Sequence, residues 1–148
     1  MKIVMGSDHA GFSAKNEIKE YLINLGYEIE DVGTYDEQSC DYPEFGSKAG
    51  RMVAQGKADF GVVICGTGIG ISISANKVKG VRCGLCVNEF TAEMTRRHNN
   101  ANVLALGARV TSVDDMKKIV TVFLNTPFEG GRHQRRVDKI AMIENDQL

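Results

Sequence analysis

What the chain lacks narrows the field first. No apolar run approaches the ~20 residues that a membrane span needs. Charge of neither sign is in excess: 18 Lys and Arg stand against 19 Asp and Glu, and a net of −1 argues against a broad basic face for nucleic acid. No internal repeat, low-complexity tract or linker interrupts the 148 residues, so one domain over 1–148 with a real core is expected. The opening MKIVMGSDHAG has too short an apolar part for a signal peptide and runs straight into a turn. The expected location is therefore cytoplasmic, where the four cysteines are thiols.

Two phosphate motifs are missing as well. A P-loop needs Lys-Ser/Thr after its glycines, and none follows here. A dinucleotide fingerprint wants G-x-G-x-x-G, whereas the glycines fall at 66, 68 and 70 and position 71 is Ile. A chain of this length also leaves little room for a separate substrate domain.

What is present centres on Asp59 to Asn76, DFGVVICGTGIGISISAN. Phe60 to Ile64 has the length and β-rich composition of a strand buried on both faces. Gly66, Thr67, Gly68, Ile69 and Gly70 then form a tight turn that opens a helix. Such a turn aims backbone N–H groups and the positive end of a helix at an anion. Cys65 sits at the carboxyl end of the strand, where open α/β sheets place their chemistry. A thiol beside a helix N-terminus can have its pKa lowered from ~8.5 into the range ~3.5–7.5, which makes it a candidate nucleophile or base.

The rest of the chain alternates strands and helices. Strands are predicted at Lys2 to Met5, Tyr27 to Val32, Phe60 to Ile64, Val81 to Val87 and Asn102 to Gly107. The first helix carries Ile18, Tyr21, Leu22 and Leu25 at helical spacing, with Ser7 or Asp8 as its cap and Gly26 as its stop. A variant capping box, Asp41-Tyr42-Pro43-Glu44, starts a helix with Phe45, Ala49, Met52 and Val53 on one face. Asn88 caps a helix with Phe90 and Met94 inward. Ser112-x-x-Asp115 begins another, with Met116, Ile119, Val120 and Phe123 at core spacing. A last helix runs from about Arg132 to Ile143 with no strand after it, which leaves it free to pack on a partner subunit. The pattern gives an α/β fold with one five-stranded parallel sheet covered on both faces.

The other reactive side chains weigh differently. Cys83 and Cys86 form a C-x-x-C inside a strand, where an offset of three puts the side chains on opposite faces; with no second pair, zinc is not indicated. Cys40 reads as a loop thiol. His9 and Cys65 both follow carboxyl ends of strands, so Asp8, His9 and a thiolate can share one crevice as an acid/base cluster. His98 ends the fourth helix and His133 begins the last; singly, each reads as a solvated or capping residue. Arg132, Arg136 and Lys139 share a helix face, either as a solvated basic stripe or, through Arg132 and Arg136 beside Gly130-Gly131, as a phosphate clamp.

Five segments together, SDHAG (7–11), DYP (41–43), CGTGIGISI (65–73), RHNNANVLALGAR (97–109) and EGGRHQRRV (129–137), resemble the ribose-5-phosphate isomerase B family. That family also holds allose-6-phosphate isomerase and the galactose-6-phosphate isomerase subunits. The resemblance runs from Met1 to about Ile143. It implies a Rossmann-like three-layer α/β/α sandwich with a C-terminal helix and no metal or organic cofactor. It also implies a homodimer, or a homotetramer, with sites shared between subunits.

By the same resemblance, Cys65 matches the base that abstracts the proton and His98 the residue that opens the sugar ring. Asp8, His9, Gly66, Thr67, Gly68, Ile69, Gly70, Asn99, Arg109, Arg132 and Arg136 match substrate-binding positions, and Tyr42 a pocket-lining tyrosine. One branch of the family carries its base as a glutamate just after the glycine loop; here that position is Ile71, which places the chain in the cysteine branch.

The resemblance thus implies aldose–ketose isomerisation of a phosphorylated sugar through a cis-enediolate, with ribose 5-phosphate as the leading substrate and Thr67 or Asp8 moving a proton between the oxygens. Allose 6-phosphate and galactose 6-phosphate are the near alternatives. A non-catalytic phosphate- or nucleotide-binding module is the alternative of a different class; it needs the glycine loop but has no use for a thiolate or for His98.

Overall fold

Strands apolar on both faces, such as Phe60–Cys65 and Val103–Gly107, have only one way to bury them: side by side in a sheet, with helices above and below. The computed structural model, which describes all 148 residues, has that architecture. In chain order its elements are β1 (Lys2–Ser7), α1 (Phe12–Asn24), β2 (Glu28–Asp31), α2 (Tyr42–Ala54), β3 (Phe60–Cys65) and α3 (Ile69–Asn76). They continue as β4 (Cys83–Leu85), α4 (Glu89–Asn99), β5 (Val103–Gly107), α5 (Val113–Asn125) and α6 (Arg132–Glu144). The sheet is parallel throughout, in the order β2-β1-β3-β5-β4.

Alternation along β3 divides the interior in two. Val62 and Ile64 join Ile18 and Leu22 of α1, Ala92 of α4 and Met116, Ile119 and Phe123 of α5 on one face. Val63 and Cys65 join Ala49 and Val53 of α2 and Ile71 and Ala75 of α3 on the other. Most of these side chains are wholly buried, each aliphatic one contributing about 1.5–3 kcal/mol of transfer free energy. The outcome is a Rossmann-like α/β/α sandwich. No helix is long and apolar enough to cross a membrane.

The structure corrects several local expectations. The cap of α1 is Gly11 rather than Ser7 or Asp8; Asp8 instead uses Oδ1 to accept the Gly11 N–H at 3.1 Å, while Ser7 lies buried with its hydroxyl unpartnered. Asp41 does cap α2 by position, but its side chain makes no capping hydrogen bond. Phe90 is exposed, because α4 turns Ala92 and Arg96, one turn apart, toward the core. β4 keeps only three of the seven residues expected of it, since it lies at the sheet edge with β5 as its sole partner. α6 buries only His133 and Val137 of its 13 residues, and its neighbour is α4.

Candidate active site

The strand order changes direction between β1 and β3, and in open α/β sheets ligands bind at the carboxyl ends flanking such a point. Asp8 follows β1 there and Cys65 ends β3. Cys65 is 4% exposed, and its Sγ accepts the Gly68 N–H at 3.1 Å. A donor aimed at the sulfur stabilises negative charge on it. Gly68 holds φ +79° at the start of α3, and a Cβ there would come within 2.9 Å of the Leu106 carbonyl carbon, so both conformation and space require glycine. The Ile69 N–H donates to Thr67 Oγ1 at 3.2 Å. From the turn after β5, the N–H groups of Ala108 and Arg109 hold the carbonyls of Cys65 and Gly66 at 2.9 and 2.8 Å. The loop is thus fixed by the sheet on one side and by α3 on the other.

Around it lies a cleft of about 440 Å³, walled by Asp8, Tyr42, Cys65, Gly66, Thr67, Ile69, Gly70, Ile73 and Arg109. The Tyr42 ring packs so closely on Gly70 that a Cβ there would meet it at 2.5 Å, and the Arg109 guanidinium lies over Gly66. His9 is next to the cleft but not one of its walls; its Nδ1 accepts the Cys40 N–H at 3.2 Å, with the Cys40 thiol 3.9 Å away. Ile73 is the wall residue that sequence reasoning missed. It is an exposed isoleucine one turn after Ile69 on the same helix face, and that spacing was its only signal.

His98, Asn99, Arg132 and Arg136 are not among those walls. They gather elsewhere, where α4 ends and α6 begins. The His98 and His133 rings stack at 4.2 Å between centroids and 12° between planes, and their Nε2 atoms lie 4.0 and 3.5 Å from one carboxylate oxygen of Glu129. No spacing along the chain signals a metal-ligand set here, yet these three donors come within 4.8 Å of one another. Nearly parallel ring planes share no nearby point that both Nε2 lone pairs can reach, so the cluster suits a proton better than an ion. Burial, then the neighbouring His98 and Arg132, push the His133 pKa below its ordinary value, against the pull of Glu129.

Arg96 is a further residue the sequence reading passed over. Its buried guanidinium lies over the rings of Phe60 and Phe123, at 4.8 and 5.7 Å. It donates to the Ala101 carbonyl at 2.6 Å, to Asn100 Oδ1 at 2.8 Å and to the Thr126 carbonyl at 3.2 Å. These bonds fix the last turn of α4 and with it His98.

A larger groove of about 500 Å³ runs between the β4 edge, α4 and α6, lined by Asn76, Arg82, Cys83, Asn99, Ile140 and Ile143 among others. It offers no reactive thiol, because burial pushes Cys83 up to about 12. Cys86, on the opposite face of the sheet, is pushed up to about 11 by the same cause. The C-x-x-C is chemically quiet.

Comparison with known proteins decides the family. A family profile described as Ribose/Galactose Isomerase matches residues 3–140. The chain belongs to this family of isomerases. It is 46% identical over 143 residues to ribose-5-phosphate isomerase B of Escherichia coli, covering 97% of this chain and 96% of that one. It is 42% identical over 149 residues to a galactose-6-phosphate isomerase subunit of Clostridium acetobutylicum, covering 99% of this chain and 86% of that one. Among solved structures, ribose-5-phosphate isomerase B of Clostridium thermocellum superposes over 100% of both chains with a TM-score of 0.98 and 51% identity. The Mycoplasma genitalium enzyme with bound ribulose-5-phosphate gives 0.94 and 44%, over 98% of this chain and 97% of that one.

Proposed function

We propose that this chain interconverts ribose 5-phosphate and ribulose 5-phosphate, with Cys65 as the base. The observation that carries the reading is the buried Cys65 sulfur at a switch-point cleft, with a glycine-loop N–H aimed at it. A binding module has no need of that arrangement, whereas proton abstraction next to a carbonyl does. The E. coli and Clostridium thermocellum relatives, both ribose-5-phosphate isomerases B, favour this substrate over the six-carbon alternatives.

The phosphate docks on Arg132 and Arg136, with Arg109 and His9 in support. His98 moves a proton from the anomeric hydroxyl to the ring oxygen, which opens the furanose to the aldehyde. Cys65 thiolate takes the proton from carbon 2, and the charge that develops on the enediolate oxygens faces the N–H groups of the glycine loop. Thr67 or Asp8 carries a proton between the oxygens, and Cys65 returns its proton to carbon 1. General base catalysis supplies ~10²–10⁴-fold and each well-placed oxyanion donor ~10²–10³-fold, a scale suited to such chemistry.

The separation of His98, Asn99, Arg132 and Arg136 from the Cys65 cleft within one chain supports a two-fold homodimer in which each site draws on both chains. Exposed Ile69 and Ile73 beside Cys65, and the lightly packed α6, suit that contact. The test is turnover in deuterated water. Ribose 5-phosphate should exchange at carbon 2 and give ribulose 5-phosphate, with kcat/KM above that for allose 6-phosphate and galactose 6-phosphate. Binding without exchange on any of the three sugars would return the chain to the class of phosphate-binding modules.

A further inference from the structure

We propose that His133 is a positioning residue for His98, and that the two stacked imidazoles with Glu129 form one unit that carries at most one proton at a time. The inference rests on the reading of His98 as the ring-opening residue and adds a second histidine to that step.

Three observations carry it. The rings lie face to face, at 4.2 Å and 12°, while His98 itself is on the last turn of a helix and partly exposed. A solvent-facing imidazole at a helix end has several rotamers; a flat neighbour on its face removes most of them. Second, His133 is among the few buried polar residues of the chain and one of only two buried residues in α6, so it can serve as the fixed wall. Third, one Glu129 oxygen lies near both Nε2 atoms. A single carboxylate neutralises one imidazolium, and two stacked imidazolium rings would repel each other at this separation.

The surrounding charges assign the proton. Burial first, then the charges of His98, Arg132 and Arg136, disfavour the charged form of His133 against the pull of Glu129. On the α4 side Arg97 is tied to Glu93 at 2.8 Å and reaches Glu129 at 4.0 Å. His133 therefore stays neutral while His98 exchanges protons, as ring opening requires: His98 takes the proton of the anomeric hydroxyl and delivers it to the ring oxygen, ending as it began.

Ribulose 5-phosphate gives a clean dissection. Its O5 carries the phosphate, so it cannot close a furanose, and loss of its carbon 1 proton to deuterated water needs the base but no ring opening. For His133→Ala, turnover of ribose 5-phosphate should fall about tenfold or more while carbon 1 exchange from ribulose 5-phosphate stays close to wild type. His133→Phe, which keeps a flat ring, should recover much of the loss. Equal falls in both assays, or no fall in either, would overturn the proposal. The control is His98→Asn: if it leaves ribose 5-phosphate turnover intact, the ring-opening reading fails, and this inference with it.

A readout independent of activity is the NMR titration of the two imidazoles. In wild type, the His133 step should lie below the ordinary imidazole range, and it should be absent in His133→Phe. Two independent titrations with coincident midpoints would overturn the shared-proton unit even if the protein were inactive.

Discussion

The molecule holds its chemistry in two regions built in opposite ways. The Cys65 cleft grows out of the sheet: the loop follows a strand buried from Gly61 onward, is held by two N–H groups from the turn after β5, and tolerates no Cβ at Gly68. The His98–His133–Glu129 cluster sits where two helices meet at the rim, on an α6 with two buried residues. The first is rigid because the core is close-packed; the second owes its order to a few side chains, chiefly Arg96 and the ring stack. The contrast matches the two tasks proposed for them: a base and oxyanion donors must be pre-set, whereas a ring-opening residue and a phosphate clamp have to admit a sugar.

The largest effect should come from the rigid region. Cys65→Ala should lower kcat by more than ~10² and abolish carbon 2 exchange, with phosphate-ligand affinity little changed. A smaller fall would place the base elsewhere. The next test asks whether the two regions of one working site belong to different chains. Cys65→Ala and His98→Asn proteins, each nearly inactive, are unfolded and refolded together in equal amounts. Half the dimers should be mixed, and each of these has one site with both substitutions and one with neither. Recovery should approach about a quarter of wild type if chains pair at random and sites act independently. No recovery despite mixed dimers seen by mass spectrometry would put Cys65 and His98 in one chain.

Arg136→Ala should act on binding, raising KM about tenfold with a smaller change in kcat, the scale of one lost charge-assisted bond. Unchanged inhibition by inorganic phosphate would remove Arg136 from the clamp. Activity should survive EDTA, since the parallel imidazoles do not converge on an ion; loss on chelation with restoration by a divalent cation would contradict this.

The two regions also differ in how far the sequence discloses them. The glycine loop is local: strand periodicity, followed by a cysteine and three glycines within six residues, already specifies its geometry. The stack of His98 on His133 joins residues 35 positions apart, and no periodicity in either helix signals it. Arg96 shows the same limit, because an arginine in a helix reads as solvated until two phenylalanines from β3 and α5 are found beneath it. Phe90 shows the converse: a large apolar residue at helical spacing reads as inward, but Ala92 and Arg96 set the buried face and leave it exposed. The cap of α1 lies at Gly11, three residues past Asp8, which still bonds the Gly11 N–H, while Asp41 caps α2 by position without the side-chain bond that sequence favours.

The smallest expected effect sharpens the comparison by pH. The rim of the cleft side is anchored by Lys15, wholly buried, whose Nζ bonds Asp31 at 2.6 Å and the Thr34 carbonyl. Burial alone would raise the Asp31 carboxyl, but hydrogen bonds from Lys15, the Gly33 N–H and Lys19 outweigh it, and its pKa lies below the ordinary 3.8. The His133 pKa lies below the ordinary 6.5. In both cases the unfolded chain takes up the proton first, so the associated stability is present at higher pH and declines as pH falls. The windows differ: the histidine contribution declines from about pH 6.5 downward, and the Asp31 contribution only below about 3.8. Hydrogen exchange at pH 5 should therefore show the amides of α6 and the end of α4 less protected relative to their values at pH 7.5, with those of β1 and α1 unchanged. The difference should vanish in His133→Phe, which has no imidazole to titrate. Equal loosening of both regions at pH 5, or loosening of α6 that persists in His133→Phe, would mean that the rim is held by something other than a neutral His133.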